Sequence, residues 1–212
     1  MTSTQIDPAI LELLASRICH DLISPIGAIN NGIEFLEDSG AEALDDALGL
    51  LSYSANLATA KLKAFRLAYG AGGADPNLSP RETHEAFEAL ISAEGKINQD
   101  WDPDQLQEQL NMNPGYSKML MATLMTAYEC LPKGGTVSVQ AHDPSTTQVT
   151  ASGRDAALRP NMSEALNRQI DTQELDPRLA HSFAVSLLSD RYGYDIDFTE
   201  NESRVIFHLA QR

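Results

Sequence analysis

The nine residues RICHDLISP, at positions 17–25, set the organisation of the whole chain. Around them, apolar side chains recur every three to four residues, which predicts one stripe of an amphipathic helix. That stripe consists of Leu11, Leu14, Ile18, Leu22, Ile29, Ile33 and Leu36. His20 lies about 180° from the middle of the stripe, with the small residues Ser16, Ser24 and Gly27 one or two turns away. We therefore expect an exposed imidazole that a large partner can reach, whereas an isolated histidine on such a face would simply be a solvated residue.

Pro25 follows His20 by five residues and sets this histidine apart from an ordinary surface residue. A proline inside a helix removes the backbone hydrogen bond to the residue four positions earlier, here Asp21, and tends to bend the helix. We expect His20 to stand just before such a bend.

Length and composition bound the class of protein. The 212 residues suffice for one large domain or two small ones, and a hydrophobic fraction of 42% is enough for a sizeable core. No apolar run is long enough to span a bilayer, and residues 1–7 lack the pattern of a signal peptide. We expect neither a membrane-spanning segment nor a membrane partner.

The cysteines and the net charge narrow the setting further. Cys19 and Cys130 form no CxxC pattern, and two such cysteines suit a reducing cytoplasm. A formal charge of −15 argues against a nucleic-acid partner, because the phosphates would be repelled. We expect a cytoplasmic protein whose partner has a basic docking face.

Two long helices are predicted before residue 74. Asp7 and Pro8 are a good start for the first helix, which residues 38–40 end. Ser39 and Glu42 have the spacing of a capping box, which predicts the start of a second helix that glycines close within residues 70–73. The apolar residues of this second helix are spaced alternately four and three apart, as in a coiled coil. They are Leu44, Leu48, Leu51, Ala55, Ala58, Leu62, Phe65 and Tyr69.

The short turn between these helices predicts an antiparallel helical hairpin. Two helices alone enclose little core, and two hairpins packed as a four-helix bundle would cover the coiled-coil seam much better. We expect a homodimer that forms such a bundle. The alternative is a hairpin that packs on the rest of its own chain.

The rest of the chain mixes shorter elements of both kinds. Helices are predicted at residues 79–92, 116–131, 162–170 and 177–192, the second of them amphipathic. Alternating patterns predict strands at residues 96–101, 136–141, 148–152, 194–199 and 204–209, with Trp101 as a core anchor. The predicted fold class is α+β: an N-terminal antiparallel helical hairpin at residues 1–73, followed by an α/β domain at residues 74–212.

The helical hairpin with HDLISP at residues 20–25 resembles the dimerisation and histidine-phosphotransfer hairpin of sensor histidine kinases. Ile23 departs from the pattern of that family, which usually has a basic residue there. Residues 121–135, MATLMTAYECLPKGG, resemble the kinase helix that ends in Pro-x-Gly-Gly. In kinases that helix carries two asparagines four residues apart, the second of which holds magnesium, whereas this chain has Ala122 and Thr126.

Two further nucleotide motifs of the kinases are missing. The Asp-x-Gly-x-Gly motif would follow the next strand pair, where residues 151–155 read ASGRD. The later glycine-rich turn would fall near residues 178–183, which contain no glycine. Glycines let backbone amides approach phosphates, so we expect no ATP binding here. A histidine hairpin joined to an α/β sandwich that resembles a degenerate kinase ATP-binding domain is similar to the ChpT-type histidine phosphotransferases, over essentially the whole chain.

This resemblance implies the chemistry. His20 would accept a phosphoryl group from an aspartyl phosphate on one receiver domain, such as that of a hybrid histidine kinase, and pass it to a response-regulator receiver domain. An unperturbed imidazole has a pKa of about 6.5, so one neutral ring nitrogen can attack while the other keeps its proton. No carboxylate cluster for a metal surrounds His20 in the sequence, so we expect no bound cofactor or metal in this chain and Mg²⁺ on the receiver.

The remaining site residues are predicted from their positions near His20. Asp21 is the candidate that orients the imidazole, with an ion pair to Arg17, one turn earlier, as the alternative. A docking surface for the receiver is predicted along the His20 face of the hairpin, and the alternative is a surface that is merely polar. The partner-binding residues are Arg17, Ser24, Gly27, Asn31, Ser52 and Asn56.

Three other functions compete with the phosphorelay. A working histidine kinase would need the missing nucleotide contacts. A metal-dependent hydrolase would need further ligands around His20 and Asp21, and the other histidines show no ligand spacing. They are His84, His142, His181 and His208. A non-catalytic dimeric adaptor would bind receiver domains without carrying phosphate.

Overall fold

The computed structural model describes residues 7–39, 44–71 and 78–212. In these ranges the fold is α+β, as predicted, with seven α-helices and a five-stranded mixed sheet. The helices are α1 (Pro8–Ser39), α2 (Leu44–Tyr69), α3 (Pro80–Ser92), α4 (Pro103–Gln109), α5 (Tyr116–Glu129), α6 (Met162–Leu166) and α7 (Ala180–Tyr192). The strands are β1 (Ile97–Asp100), β2 (Gly135–Asp143), β3 (Thr146–Ser152), β4 (Tyr194–Asn201) and β5 (Arg204–Gln211). No helix in the described ranges is long and apolar enough to cross a membrane.

Helix α1 begins and continues as its sequence predicts. The side chain of Asp7 accepts a hydrogen bond of 3.0 Å from the backbone N–H of Ala9, which satisfies a free donor of the first turn. The helix runs through Pro25 without interruption. Because Pro25 has no N–H, the carbonyl of Asp21 loses its helical partner, and Lys61 of α2 donates to that carbonyl at 3.3 Å.

Helices α1 and α2 form the predicted antiparallel hairpin. A Cβ atom added at Gly32 would lie 3.1 Å from the side chain of Leu51, so the helices approach closely there. Asp21 faces Lys61. Residues earlier on α1 therefore contact residues later on α2, so the two helices are antiparallel. The connection at residues 40–43, including the Glu42 of the predicted capping box, lies outside the described residues.

Most of the predicted apolar stripe of α1 is not buried within the chain. The buried residues of α1 are Ile10, Pro25 and Gly32, whereas Leu11 and Ile33 are 64% and 45% exposed. Gly32 lets α1 and α2 pack closely, while Ile18 and Leu22 of the stripe are half-buried against the core. The predicted stripe is therefore covered only in part within the chain.

The sheet has the strand order β1-β2-β3-β5-β4. Strands β1 and β2 are parallel, and the other neighbours are antiparallel. At the centre of the sheet, Val149 pairs with Val139 on one side and with Phe207 on the other, and all three side chains are buried. Helices α3, α5 and α7 cover this apolar side of the sheet.

Helix α5 is buried on all sides, so its prediction as an amphipathic helix is wrong. Only Tyr128 of its fourteen residues is not buried, because α5 lies between the sheet and helices α2, α3 and α7. Even Lys118 is buried, and its ammonium donates to the carbonyls of Ala68 at 3.1 Å and Gly70 at 2.7 Å, at the end of α2. Burial lowers the pKa of Lys118 to about 8.

Helix α4 was not predicted from the sequence. Its start has a signal, because the side chain of Asp102 accepts hydrogen bonds from two backbone amides and Pro103 follows it. Leu106 is its only buried residue, so the helix lacks an apolar pattern. Trp101, which precedes it, is half-buried at the edge of the core and is not the central anchor that the sequence suggests.

The hydrophobic core is continuous from the hairpin to the sheet. Ile10 of α1 and the end of α2 belong to the same buried cluster as α5 and the strands. The contributing residues of α2 are Ala64, Phe65, Leu67 and Ala68. The division of the chain between residues 73 and 74 stays a prediction.

Candidate functional site

His20 projects from the middle of α1 with its side chain 86% exposed, as the helical wheel predicts. Ser24, one turn further, is also exposed. A Cβ atom placed at Gly27 would meet no atom within 4 Å, so the helix surface beyond His20 is open. A globular partner can therefore reach the ring without displacing any part of the described chain.

Asp21 contacts both residues that the sequence offered as alternatives. Its Oδ1 lies 3.4 Å from Nδ1 of His20, at the long end of the hydrogen-bond range. Its Oδ2 accepts a hydrogen bond of 3.2 Å from Nε of Arg17, with which it forms an ion pair. A carboxylate only accepts hydrogen bonds, so this contact favours a proton on Nδ1 and leaves the lone pair of His20 Nε2 free.

Arg17 connects this pair to the second half of the chain. Its Nη2 forms an ion pair with Oε1 of Glu129, and its Nη1 donates to the carbonyl of Arg178 at 3.2 Å. The Arg17 side chain is only 17% exposed. Burial opposes its charge, but the carboxylates of Glu129 and Asp21 outweigh that effect and raise the pKa of Arg17 above its usual value.

Glu129 is the buried end of this series of charges. It is the last residue of α5, and its side chain is 2% exposed. Its Oε2 lies 3.8 Å from Nη1 of Arg159 and accepts no hydrogen bond from the described residues. Glu129 could not be found from the sequence, because nothing local distinguishes one acidic residue at the end of a helix.

His20 and Asp21 border a cleft of about 670 Å³ between the hairpin and helices α3 and α5. Apolar side chains line part of the cleft, among them Phe65, Leu90 and Met125. Its basic residues are Arg17, Lys61, Arg159 and Arg178, and its acidic residues are Asp21, Glu94, Glu129 and Asp176. The charges are balanced in sign, and most of the Arg17 and Glu129 charge is already paired within the cleft.

The positions where kinases carry asparagines have a structural role here. Ala122 and Thr126 are buried, and both contact Nε2 of His181 at 3.1 Å, through the Ala122 carbonyl and the Thr126 hydroxyl. A carbonyl only accepts, so Nε2 carries the proton, and Nδ1 accepts a hydrogen bond of 2.5 Å from the hydroxyl of Tyr69. The ring is neutral, and burial lowers the pKa of His181. His181 therefore joins α2, α5 and α7, a role that its position in the sequence does not indicate.

The other predicted partner-binding residues lie along the hairpin. Ser24, Asn31, Ser52 and Asn56 are exposed, and Gly27 is half-buried. The antiparallel register, with Gly32 against Leu51 and Asp21 against Lys61, brings Ser52 and Asn56 to the levels of Asn31 and Gly27 on the neighbouring helix. Arg17 differs from them, because its guanidinium is engaged within the chain.

The described residues contain no group of three or more histidine, cysteine, aspartate or glutamate side chains that could hold a metal ion. His142 and His208 lie next to each other, with ring centroids 5.6 Å apart, but they form only a pair. Neither contacts His20.

The geometry defines an α+β protein in which a helical hairpin presents one exposed histidine beside a sheet layer. Residues 80–204 match the family model described as the histidine phosphotransferase C-terminal domain. The chain is 30% identical over 199 residues to the protein phosphotransferase ChpT of Brucella abortus (strain 2308), with 92% of each protein covered. The chain belongs to the family of ChpT-type histidine phosphotransferases.

A structure described as a bacterial phosphotransferase is similar to this fold with a TM-score of 0.78 and 27% sequence identity, covering 98% of each chain. The histidine kinase domain of a blue-light-activated histidine kinase from Erythrobacter litoralis matches with a TM-score of 0.43 and 13% identity, covering 92% of each chain.

Proposed function

We propose that this chain relays a phosphoryl group between receiver domains through a phosphohistidine at His20. Membership of the histidine phosphotransferase family supports the class of reaction. The observation that carries the assignment is the exposed ring of His20, which contacts a carboxylate at Nδ1 and leaves Nε2 open to a partner.

In the proposed reaction, Nε2 of His20 attacks the phosphorus of an aspartyl phosphate on the donor receiver. The bond from phosphorus to Nε2 forms as the bond to the aspartate oxygen breaks, and the aspartate leaves as a carboxylate. The ring keeps its proton on Nδ1, and the carboxylate of Asp21 stabilises the positive charge that develops there. The acceptor receiver reverses these steps, with its own aspartate as the nucleophile.

This chain supplies position rather than a metal in that reaction. Phosphoryl transfer depends on in-line placement and on neutralisation of charge, so a rigid helix suits the nucleophile. The described residues offer no metal site, and in the proposal Mg²⁺ comes with the receiver domain.

The receiver is proposed to dock along the hairpin on the same side as His20. The proposed contact residues are Ser24, Gly27, Asn31, Ser52 and Asn56. The exposure of the four polar residues and the open helix surface at Gly27 support this surface, as do the common levels of these residues on the two helices. Arg17 contributes to it only through the small exposed part of its side chain. One receiver, that of a hybrid histidine kinase, donates, and the receiver of a response regulator accepts.

The chain is proposed to act as a homodimer through a four-helix bundle. In the described residues, all ten exposed large apolar side chains lie on α1 and α2, with exposed fractions between 41% and 71%. They are Leu11, Ile23, Ile26, Ile33, Phe35, Leu44, Leu48, Leu50, Tyr53 and Leu62. So much apolar surface on two helices favours a second hairpin as its cover. Ile10 of α1 and the end of α2 pack on the rest of the chain, but this packing leaves the ten side chains exposed.

The chain is proposed not to bind or hydrolyse ATP. The support is the burial of Ala122 and Thr126 and their contacts with His181, which occupy the positions of the kinase asparagines. A divergent histidine kinase would bind ATP, so isothermal titration with ATP and Mg²⁺ separates the two functions. The cytoplasmic location also stays a proposal, which rests on the composition of the chain.

The main experiment mixes the purified protein with a panel of receiver domains that carry radiolabelled aspartyl phosphate. We expect label on the wild-type protein, stable to base and labile to acid, and no label on His20→Ala. Label that persists on His20→Ala contradicts the assignment of His20. A receiver that binds the wild-type protein and His20→Ala equally, with no label on either, would instead indicate a non-catalytic adaptor.

A further inference from the structure

We propose that Glu129 is a positioning residue for the phosphotransfer reaction. Acting through Arg17 and Asp21, its buried carboxylate fixes the tautomer and the orientation of the His20 ring. This inference rests on the proposed function of His20 and adds a residue that lies 109 positions away in the sequence.

Asp21 is weakly held by its own helix. Arg17 and Asp21 are four residues apart on α1, and such pairs on an exposed helix contribute little, because two long side chains must be held in one geometry. Asp21 is also part-exposed, with a side chain that is 24% accessible. The pair alone would leave the carboxylate free to turn away from His20.

Glu129 removes this freedom. The Glu129 carboxylate is nearly inaccessible to water and pairs with Nη2 of Arg17. The Arg178 carbonyl accepts from Nη1, so Nε of Arg17 points at Oδ2 of Asp21. All three nitrogens of one planar guanidinium are thereby engaged, which fixes its plane. With Oδ2 fixed, Oδ1 of Asp21 remains for Nδ1 of His20.

Glu129 occupies a position that is costly for a carboxylate. It lies at the C-terminal end of α5, where the helix dipole disfavours negative charge, and it is removed from water. Arg159 lies 3.8 Å from Oε2, too far for a hydrogen bond, and Oε2 has no hydrogen-bond partner in the described part of the chain. The Arg17 contact is therefore the main compensation for this charge, and it leads directly to Asp21 and His20.

Glu129→Gln tests the inference, because the amide keeps the size of the side chain and removes its charge. Transfer is measured in single turnover from a phosphorylated receiver over a range of receiver concentrations. We expect the limiting rate to fall about tenfold, as for other residues that orient a reacting group through an intermediary. We expect the half-saturating concentration to stay within twofold, because Glu129 is buried and cannot contact the receiver.

A second readout does not depend on phosphotransfer. The ¹⁵N chemical shifts of the His20 ring report which nitrogen carries the proton, and we expect the Nδ1-protonated fraction to fall in Glu129→Gln. Asp155→Asn is the matched control, since it removes a carboxylate from the exposed ion pair with Lys133 in the same half of the chain. The control keeps the wild-type rate and the wild-type tautomer.

Several results would overturn the inference. A limiting rate and a tautomer equal to those of the wild-type protein in Glu129→Gln contradict it. A raised half-saturating concentration with an unchanged limiting rate would assign Glu129 to receiver binding instead. If Glu129→Gln does not fold, Glu129→Asp takes its place. A positioning role predicts a smaller decrease in its limiting rate, and a wild-type rate and tautomer would contradict the inference. If no receiver labels the wild-type protein, the proposed function fails, while the tautomer measurement still decides the role of Glu129.

Discussion

The free energy of unfolding between pH 7.0 and 5.5 tests the buried contact of His181 that joins α2 of the hairpin to helices α5 and α7. His181 is fully buried and neutral, with Nε2 donating to Ala122 and Nδ1 accepting from Tyr69, and burial is the main cause that lowers its pKa. In the unfolded chain this pKa returns to about 6.5. As the pH falls through that value, the unfolded state takes up a proton that the folded state does not, so the free energy of unfolding decreases.

The size of the effect follows from these two states. If the folded ring stays neutral, protonation of an imidazole with a pKa of about 6.5 stabilises the unfolded chain by about 1.3 kcal/mol between pH 7.0 and 5.5. Three nearby charged groups act on the pKa of His181 in opposite directions: Glu129 raises it, while Arg17 and Arg159 lower it. Carboxylates with lowered pKa values, such as Asp190, titrate mainly at lower pH.

Urea unfolding followed by circular dichroism measures this loss. His181→Gln is the comparison, because its amide can donate to one partner and accept from the other without titrating. We expect the wild-type protein to lose about 1.3 kcal/mol more than His181→Gln over the interval. Equal losses in the two proteins would refute a neutral, buried His181 and with it the assigned hydrogen bonds.

Three further outcomes follow from the fold. Lys118→Met leaves the carbonyls of Ala68 and Gly70 without their donor. We therefore expect the free energy of unfolding, measured in urea titrations, to fall by about 2 kcal/mol. An unchanged value would contradict the role of Lys118 as the donor at the end of α2. Gly32→Leu should lower the free energy of unfolding by about 1–3 kcal/mol, because the new side chain meets Leu51. Gly27→Ala, at an open helical position, should raise it by about 0.5–1 kcal/mol. The opposite order of the two variants would show that the helices approach each other elsewhere. Leu48→Glu places a charge in the exposed apolar surface of α2, so light scattering should detect monomers that keep their helical circular-dichroism signal. Asp45→Ala on the same helix is the control and should remain dimeric. A Leu48→Glu protein that is still dimeric would exclude this surface from the interface.

Elements with a strong local signal could be predicted from the sequence. The helix that starts at Pro80 has a capping box between Ser79 and Glu82, and both hydrogen bonds of that box are present. Apolar and polar residues alternate along the strand pairs β2–β3 and β4–β5, and both pairs are antiparallel. In these cases neighbouring residues carry the information, so the spacing alone suffices.

Features that depend on distant residues could not be predicted. The periodicity of α5 gives no sign that helices and a sheet surround it, so Lys118 reads as an exposed residue although it is buried. On α1, the contact between Arg17 and Asp21 follows from their spacing, whereas the ion pair with Glu129 joins residues 112 positions apart. Such long-range pairs follow from how the elements pack and leave no pattern in the sequence.

The shared core at the root of the hairpin has a consequence for dissecting the protein. A fragment that stops at residue 73 would keep His20 but would expose Ile10, Phe65 and Leu67 to water, because the hairpin packs against helices α3, α5 and α7 of the second half. Its second helix would also end on carbonyls deprived of the Lys118 ammonium. The hairpin that bears the histidine therefore depends on helices of the second half for its own folding, and it is not an independent module.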